Sequence, residues 1–236
     1  MLSRLIAELR ELTRPAPLQD FDSYDDYWRQ RETGHRLSAS LPRYPRVSAM
    51  IPQGHRVLDF GCGHGEFLQY LKQHRPDLRV TAADISSHAI EALRKAGIDA
   101  VLLDPNAPVD AGLSPAFDTI LALAVIEHIA DCEKTVRDLM RLVPKQLIFT
   151  IPNVGFITNR FRLLLGRFPI TLVFYHMKEH IRFWTATDFK QWAEYMQLRV
   201  VEIQPENPRL LSRVSPSLFS RALIFRCELL KPSHQS

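Results

Sequence analysis

Cysteine is scarce in this 236-residue chain, with Cys62, Cys132 and Cys227 the only three. An odd, widely separated set offers no disulfide framework, and without a Cys-x-x-Cys pair there is no signal for structural zinc. A reducing compartment suits such a chain. Long apolar runs are also missing, and none approaches the roughly 20 residues that cross a bilayer as a helix. Met1–Arg14 is charged throughout and lacks the apolar stretch of a secretory signal, so no transmembrane segment and a cytoplasmic location are expected. Nor is charge of one sign gathered. The formal net charge is +4, and the basic residues are scattered, whereas a nucleic-acid binder more often shows a clustered basic face. A mildly basic, solvated surface accounts for the charge, and no nucleic-acid partner is expected. No internal repeat or low-complexity tract interrupts the chain, whose length lies near the upper end of one ordinary domain.

What is present is an alternation. Leu2, Leu5, Ile6, Leu9 and Leu12 recur at helical spacing, predicting an amphipathic helix over Met1–Thr13 that Pro15 and Pro17 end. Phe21–Arg36 is rich in Asp, Tyr and Arg. After the Pro52-Gln53-Gly54 turn, strand-length apolar runs alternate with helical stretches, which predicts βαβ units and a parallel sheet. The expected strands are Arg56–Phe60, Arg79–Ile85, Ala100–Leu103, Thr119–Val125, Gln146–Ile151, Arg199–Ile203 and Ala222–Cys227. The expected helices are Glu66–His74, Ser87–Ala96 closed by Gly97, Glu133–Val143 stopped by Pro144, and Asp188–Met196 with Thr185 or Thr187 as its cap. Pro205–Ser220 reads as a Pro/Ser-rich connection.

One stretch carries chemistry. Val57-Leu58 runs into Asp59 and then into Gly61-Cys62-Gly63-His64-Gly65, and a helix follows directly. Glycines let the chain turn sharply and let a ligand approach the backbone, while a helix N-terminus offers unpaired N–H groups. Asp84 ends the next strand, where a carboxylate can accept hydrogen bonds from ribose hydroxyls. The bland alternative is a tight turn with an ordinary helix cap. The dinucleotide fingerprint G-x-G-x-x-G does not fit, because the third glycine comes one residue early. Asp59 would repel a pyrophosphate but suits the ammonium of a methionine moiety. A nicotinamide-dependent enzyme is therefore disfavoured against one that uses S-adenosylmethionine (SAM).

The segment Val57-Leu58-Asp59-Phe60-Gly61-Cys62-Gly63-His64-Gly65 resembles motif I of class I SAM-dependent methyltransferases. The likeness continues through Asp84, Asp104, Phe117-Asp118-Thr119-Ile120 and Val125-Ile126-Glu127-His128-Ile129. It implies an α/β fold: a three-layer, Rossmann-like, seven-stranded sheet with an antiparallel last strand. It also implies roles. Asp59, Gly61, Cys62 and Gly63 hold the methionine end of SAM, with Cys62 a small filler of no assigned reactivity. Asp84 holds the ribose, Ile85, Leu103 and Asp104 flank the adenine, and Ala124 faces the methyl group; S-adenosylhomocysteine is the product. A second resemblance, to the methionine-biosynthesis protein W (MetW) group, rests on Thr150-Ile151-Pro152-Asn153-Val154-Gly155, on Arg160, Arg162 and Leu163–Arg167, and on His180–Thr185. That group implies a SAM-fold partner that regulates a homoserine acyltransferase. The fifty or so residues before the first strand and the final strand depart from it, which ranks a true methyltransferase first.

Methyl transfer from a sulfonium needs chiefly positioning and exclusion of water, with a base for a hydroxyl or ammonium acceptor. His128 is the first candidate base, against the plain alternative of a turn cap. His176 and His180 follow as acceptor-pocket candidates, though loop histidines are more often surface or packing residues. Related quinone-pathway O-methyltransferases carry a Glu three residues before Glu-His, a set suited to a metal. Here that position is Ala124, so no metal is expected. Phe156, Phe161, Phe174, Tyr175, Phe183 and Trp184 make the 152–184 insertion aromatic, fit for an acceptor lid or for packing. Tyr24, Tyr27 and Trp28 offer closure over SAM or packing on the sheet. Arg160, Arg162 and Arg167 suit an anionic substrate group or a solvated helix face. The expected organisation is an N-terminal helical lid (1–53), a methyltransferase domain (54–230) with a substrate lid (152–184), and a tail (231–236). The expected activity is methyl transfer to an O or N atom of a small-molecule acceptor, with a homodimer or an acyltransferase partner open to it.

Overall fold

The computed structural model describes residues 9–20, 41–113, 117–142, 144–174 and 176–230. Phe21–Arg36 with its aromatic residues, Tyr175 and the 231–236 tail lie outside them, and of the expected N-terminal helix residues 9–13 are seen as helical. Helix α1 (Arg43–Ala49) precedes β1 (Arg56–Phe60), α2 (Glu66–His74), β2 (Arg79–Asp84), α3 (Ser87–Lys95) and β3 (Asp99–Leu102). Then come β4 (Thr119–Leu123), α4 (Cys132–Met140), β5 (Gln146–Pro152), α5 (Ile157–Leu164), α6 (Ala186–Tyr195) and β6 (Leu198–Pro205). The Pro/Ser-rich connection holds two short helices, α7 (Leu210–Val214) and α8 (Pro216–Phe219), before β7 (Ala222–Leu229).

The seven strands form one sheet in the order β3-β2-β1-β4-β5-β7-β6. β1 to β5 pair in parallel, and β7 runs antiparallel to both β5 and β6. This is the seven-stranded sheet with an antiparallel last strand that the resemblance implies. Side chains alternate faces along a strand, and the core divides accordingly. Leu58, Phe60, Ile120, Ala122, Leu147, Phe149, Leu223 and Phe225 pack with Val136 and Leu139 of α4 and with Phe189 and Ala193 of α6. Val57, Leu121, Ile148 and Ile224 face the other way, onto Tyr44 and Val47 of α1 and Phe67 and Leu71 of α2. Asp59, between Leu58 and Phe60, shares this second face.

Helix starts follow the capping chemistry of the sequence. The Ser86 hydroxyl accepts from Ala89 N–H at 3.3 Å, and the Asp131 carboxylate accepts from Lys134 N–H at 3.0 Å. Thr185 and Asp188 cap α6 reciprocally, each side chain accepting the other's backbone N–H at 3.2 Å. Thr185 is thus the cap and Thr187 lies inside the helix. β4 stops at Leu123, two residues before its expected end, because Ala124 takes a φ of +60° that no extended strand continues.

The insertion after β5 is tied down at both ends. Asn153 bridges to Trp184, and Leu18 bridges to His176. Arg162 settles the arginine question differently from both expectations, since it is neither solvated nor aimed at a ligand. It is 2% exposed. It donates to the carbonyls of Glu11, of Leu12 at 3.2 Å, of Arg14 at 3.0 Å and of Phe168 at 2.9 Å, binding the N-terminal segment to the insertion. Trp184 is likewise a core residue, packed against Phe189 and Trp192.

Candidate active site

In a parallel sheet the loops after neighbouring strands converge at the carboxyl edge. The loop after β1 is bent by glycines at two points where other residues would fail. Gly61 has φ +70° and a Cβ there would meet Val125 Cγ2 at 2.6 Å. Gly65 has φ +72° and a Cβ would meet Leu93 Cδ2 at 2.3 Å. The loop is stapled to β2. Gly61 N–H donates to the Ala83 carbonyl at 2.8 Å, and Gly63 N–H donates to the Asp84 carboxylate at 2.9 Å. The other Asp84 oxygen accepts from Ser86 N–H at 2.9 Å. Burial raises the Asp84 pKa, and these backbone donors oppose the rise.

Beneath the loop lies a polar cleft lined by Arg43, Tyr44, Asp59, Gly61, Glu66 and Phe67. Asp59 is 3% exposed. Burial pushes its carboxyl from 3.8 up to about 7, opposed by Arg43 and aided by Asp84. Glu66 accepts from the Tyr44 hydroxyl at 3.4 Å through one oxygen, while its other oxygen is buried with no hydrogen-bond partner among the described residues. Arg43, Tyr44 and Glu66 are site residues that the motif alone does not reveal. Cys62 packs beside the Leu68–Ile90 cluster, and burial drives its thiol well above the ordinary range, in keeping with a filler. Of the residues expected to flank the adenine, Ile85 is exposed, Leu103 is buried in the core, and Asp104 is exposed and accepts from Asn106 N–H at 2.8 Å.

The sheet order puts the segment after β4 between the loop after β1 and the residues after β5. Here Ala124, Val125, Glu127 and His128 form a tight turn. His180 arrives from the insertion, its ring 4.9 Å from that of His128. Ile181 N–H at 2.9 Å and Arg182 N–H at 3.2 Å both donate to the Glu127 carbonyl. The Glu127 side chain is fully buried, and burial pushes its carboxyl up to about 8. His180 also lines a small second cleft with Asn153, Asn159, Thr171 and Phe183. His176 is not brought into this group. Its ring accepts from Lys178 N–H at 2.9 Å and caps the short Met177–Glu179 helix. Phe161 and Phe174 are exposed, and Phe156 is buried with Arg221 over its ring.

A family profile described as a methyltransferase domain matches residues 27–203, well over half of the chain. A tRNA (carboxymethyluridine(34)-5-O)-methyltransferase of Xenopus tropicalis is 32% identical over 51% of this chain and 18% of its own length. A ubiquinone biosynthesis O-methyltransferase of Methylocella silvestris is 34% identical over 52% of this chain and 49% of its own. A bifunctional methionine biosynthesis protein MetXA/MetW of Rhodopirellula baltica is 25% identical over 47% and 19%, which bears out the MetW likeness. The chain thus spans half or less of the length of these relatives. In fold it is similar to a TehB-like SAM-dependent methyltransferase of Corynebacterium glutamicum, with a TM-score of 0.56 at 19% identity over 87% of this chain and 96% of that one. Among the described residues no helix is long and apolar enough to cross a membrane. With the seven-stranded sheet, the glycine loop and Asp84 stapled together at its carboxyl edge, the chain belongs to the methyltransferase-domain family.

Proposed function

We propose that this methyltransferase moves the methyl group of SAM to an oxygen or nitrogen atom of a small-molecule acceptor seated beside His180. The observation that carries the reading is the meeting of His128 and His180, far apart in sequence, at the turn between the glycine loop and the Asn153–Phe183 cleft. SAM supplies an already activated methyl group. The chain's part is to hold the two reactants in line and to activate the acceptor. Asp59 and Glu66 give the methionine ammonium a buried anionic seat, Gly61 and Gly63 leave the backbone open to the ligand, and Asp84 takes the ribose hydroxyls. Cys62 and Ala124 leave room beside the methionine end, and Ile85, Leu103 and Asp104 border the adenine. Asn159 and Thr171 give the acceptor cleft polar contacts, and the imidazoles of His128 and His180 act on the acceptor's proton. His176 supports the lid as a cap. In organisation, residues 152–184 serve as the substrate lid of the methyltransferase domain.

Small acceptors suit a cleft this narrow. Several basic side chains among the described residues are engaged in ion pairs, among them Arg43 with Glu206, Arg141 with Asp138 and Arg182 with Glu133, rather than turned outward toward a phosphate backbone. The test is two-part. Calorimetric titration with S-adenosylhomocysteine is expected to give micromolar binding that Asp84→Ala weakens strongly. Isotope-labelled SAM with phenols, carboxylates and amines is then expected to yield labelled acceptor without an added protein. Labelling of tRNA alone would refute the small-molecule reading. Turnover only on adding an acyltransferase would favour the second reading, a SAM-fold partner protein, which draws on the likeness to MetXA/MetW.

A further inference from the structure

Glu127 is fully buried, and neither of its carboxylate oxygens meets a hydrogen-bond donor among the described residues. A buried carboxylate in that setting calls for a proton or a cation to neutralise it. Two imidazoles stand beside it. One ligand atom each from Glu127, His128 and His180 lies within 4.8 Å of the others, so small side-chain rotations bring all three onto one ion at ligand distances of about 2 Å.

The surroundings hold this geometry. His128 Nδ1 is hydrogen-bonded to the Glu179 carbonyl, which makes Nδ1 the donor and leaves the lone pair on Nε2. Metal-ligating histidines are oriented in this manner by a carbonyl or carboxylate on the far nitrogen. The Glu179 side chain is itself fixed, accepting Phe174 N–H at 3.1 Å and His176 N–H at 2.8 Å. Ile181 and Arg182 bind the Glu127 carbonyl, so the strap carrying His180 is fastened to the turn carrying the other two.

We propose that Glu127, His128 and His180 bind one divalent first-row transition-metal ion at the inner end of the acceptor cleft. Two imidazoles and one carboxylate favour manganese, iron, cobalt or zinc over magnesium and calcium, which prefer all-oxygen sites. Three protein ligands leave positions open for the acceptor and water. The expectation of no metal rested on Ala124 alone. The replacement ligand is His180, which no local spacing reveals. The ion site stands on the cluster geometry by itself, whereas its role rests on the acceptor reading: a hydroxyl that ligates the ion loses its proton more readily, so the ion would do the activating assigned above to the histidines.

The test uses the full chain stripped with chelator and titrated with Co2+ and Mn2+, with S-adenosylhomocysteine binding measured in parallel. One ion per chain is expected, with visible cobalt bands reporting nitrogen ligands. Glu127→Gln and His180→Ala should each weaken ion binding by about 10-fold or more while keeping the S-adenosylhomocysteine affinity of the metal-free wild type, which also certifies their folding. His74→Ala, at an exposed histidine on α2, should bind as wild type. No ion uptake at millimolar concentration, or uptake unchanged in both variants, overturns the proposal. Ion uptake lost in the variants, with no S-adenosylhomocysteine binding even by wild type, would sustain the ion site and sink the cofactor assignment.

Discussion

Replacing Asp59 with Asn should move stability and cofactor affinity in opposite directions. The Asp59 carboxyl ionises at about 7 in the folded chain against an ordinary 3.8. At about 1.4 kcal/mol per pH unit, keeping it charged near pH 7.5 costs the apo fold about 4 kcal/mol. An asparagine of the same shape removes that term but still buries a polar amide, which takes back about 1–3 kcal/mol. The net expectation is a gain of about 1–3 kcal/mol. For a chain of this size that is a rise in Tm of about 2–10 °C. The ligand ammonium, meanwhile, loses a charge-assisted partner of about 1.5–3 kcal/mol, or about 10- to 100-fold in affinity. Thermal melts of apo wild type and Asp59→Asn, with S-adenosylhomocysteine titrations of both, measure the two effects. A variant that is less stable yet binds within about twofold of wild type would refute the reasoning, because Asp59 would then be a structural acceptor rather than a seat for the ligand.

Three further outcomes are expected. Apo stability should fall as pH rises from about 4 to about 8, because Asp59 at about 7 and Glu127 at about 8 hold their protons longer in the folded chain than in the unfolded one; a flat profile in apo denaturant midpoints would contradict their burial in charged form. Gly61→Ala should cost about 2–4 kcal/mol, from left-handed strain and from the 2.6 Å encounter with Val125. Adding Val125→Ala should recover only the packing part in urea unfolding. Arg162→Met should release the N-terminal segment from its carbonyl anchors, and limited trypsin digestion should then cut after Arg10 or Arg14 several times faster.

Most of the sheet was legible because its strands are continuous apolar runs with buried polar ends. β1 and α2 fall where the sequence places them, and the remaining strands differ by a few residues at their ends. The glycine loop was legible for the same local reason: strand, acid, turn and helix adjoin in sequence. What was not legible is what the sheet order brings together. Arg43, Tyr44 and Glu66 reach Asp59 only because α1 and α2 pack on the face that Asp59 shares. The pairing of His180 with His128 depends on how a strap far along the chain folds back over β4. Arg162, on α5, turns inward to bind backbone carbonyls of the distant N-terminal segment. Local periodicity carries no record of such partners, so the sequence left Trp184 open between lid and packing, and the structure makes it core.

The site has a common electrical design. Asp84, Asp59 and Glu127 sit at or just beyond the ends of β2, β1 and β4, three neighbouring strands, and are 2%, 3% and 0% exposed. A chain with a net charge of +4 thus gathers buried carboxylates along one edge, and burial raises the pKa of each. Asp84 fastens the glycine loop to β2, whereas neither carboxylate oxygen of Glu127 has a hydrogen-bond donor among the described residues, and buried charge of this kind is costly to a fold. The row makes sense as a receptor for positive charge: the ammonium and sulfonium of SAM at one end and a metal ion at the other. The apo fold is then weakest where its ligands bind, and each ligand stabilises by RT ln(1 + [L]/Kd). Because Asp84 raises the charging cost of Asp59, neutralising Asp84 favours ionisation of Asp59. A cation at Glu127 should act the same way at shorter range on its own turn, whose Val125 side chain lies against Gly61 of the cofactor loop. Metal and S-adenosylhomocysteine should therefore raise Tm by more together than the two separate shifts add to, and strictly additive shifts would show that the row is three independent sites.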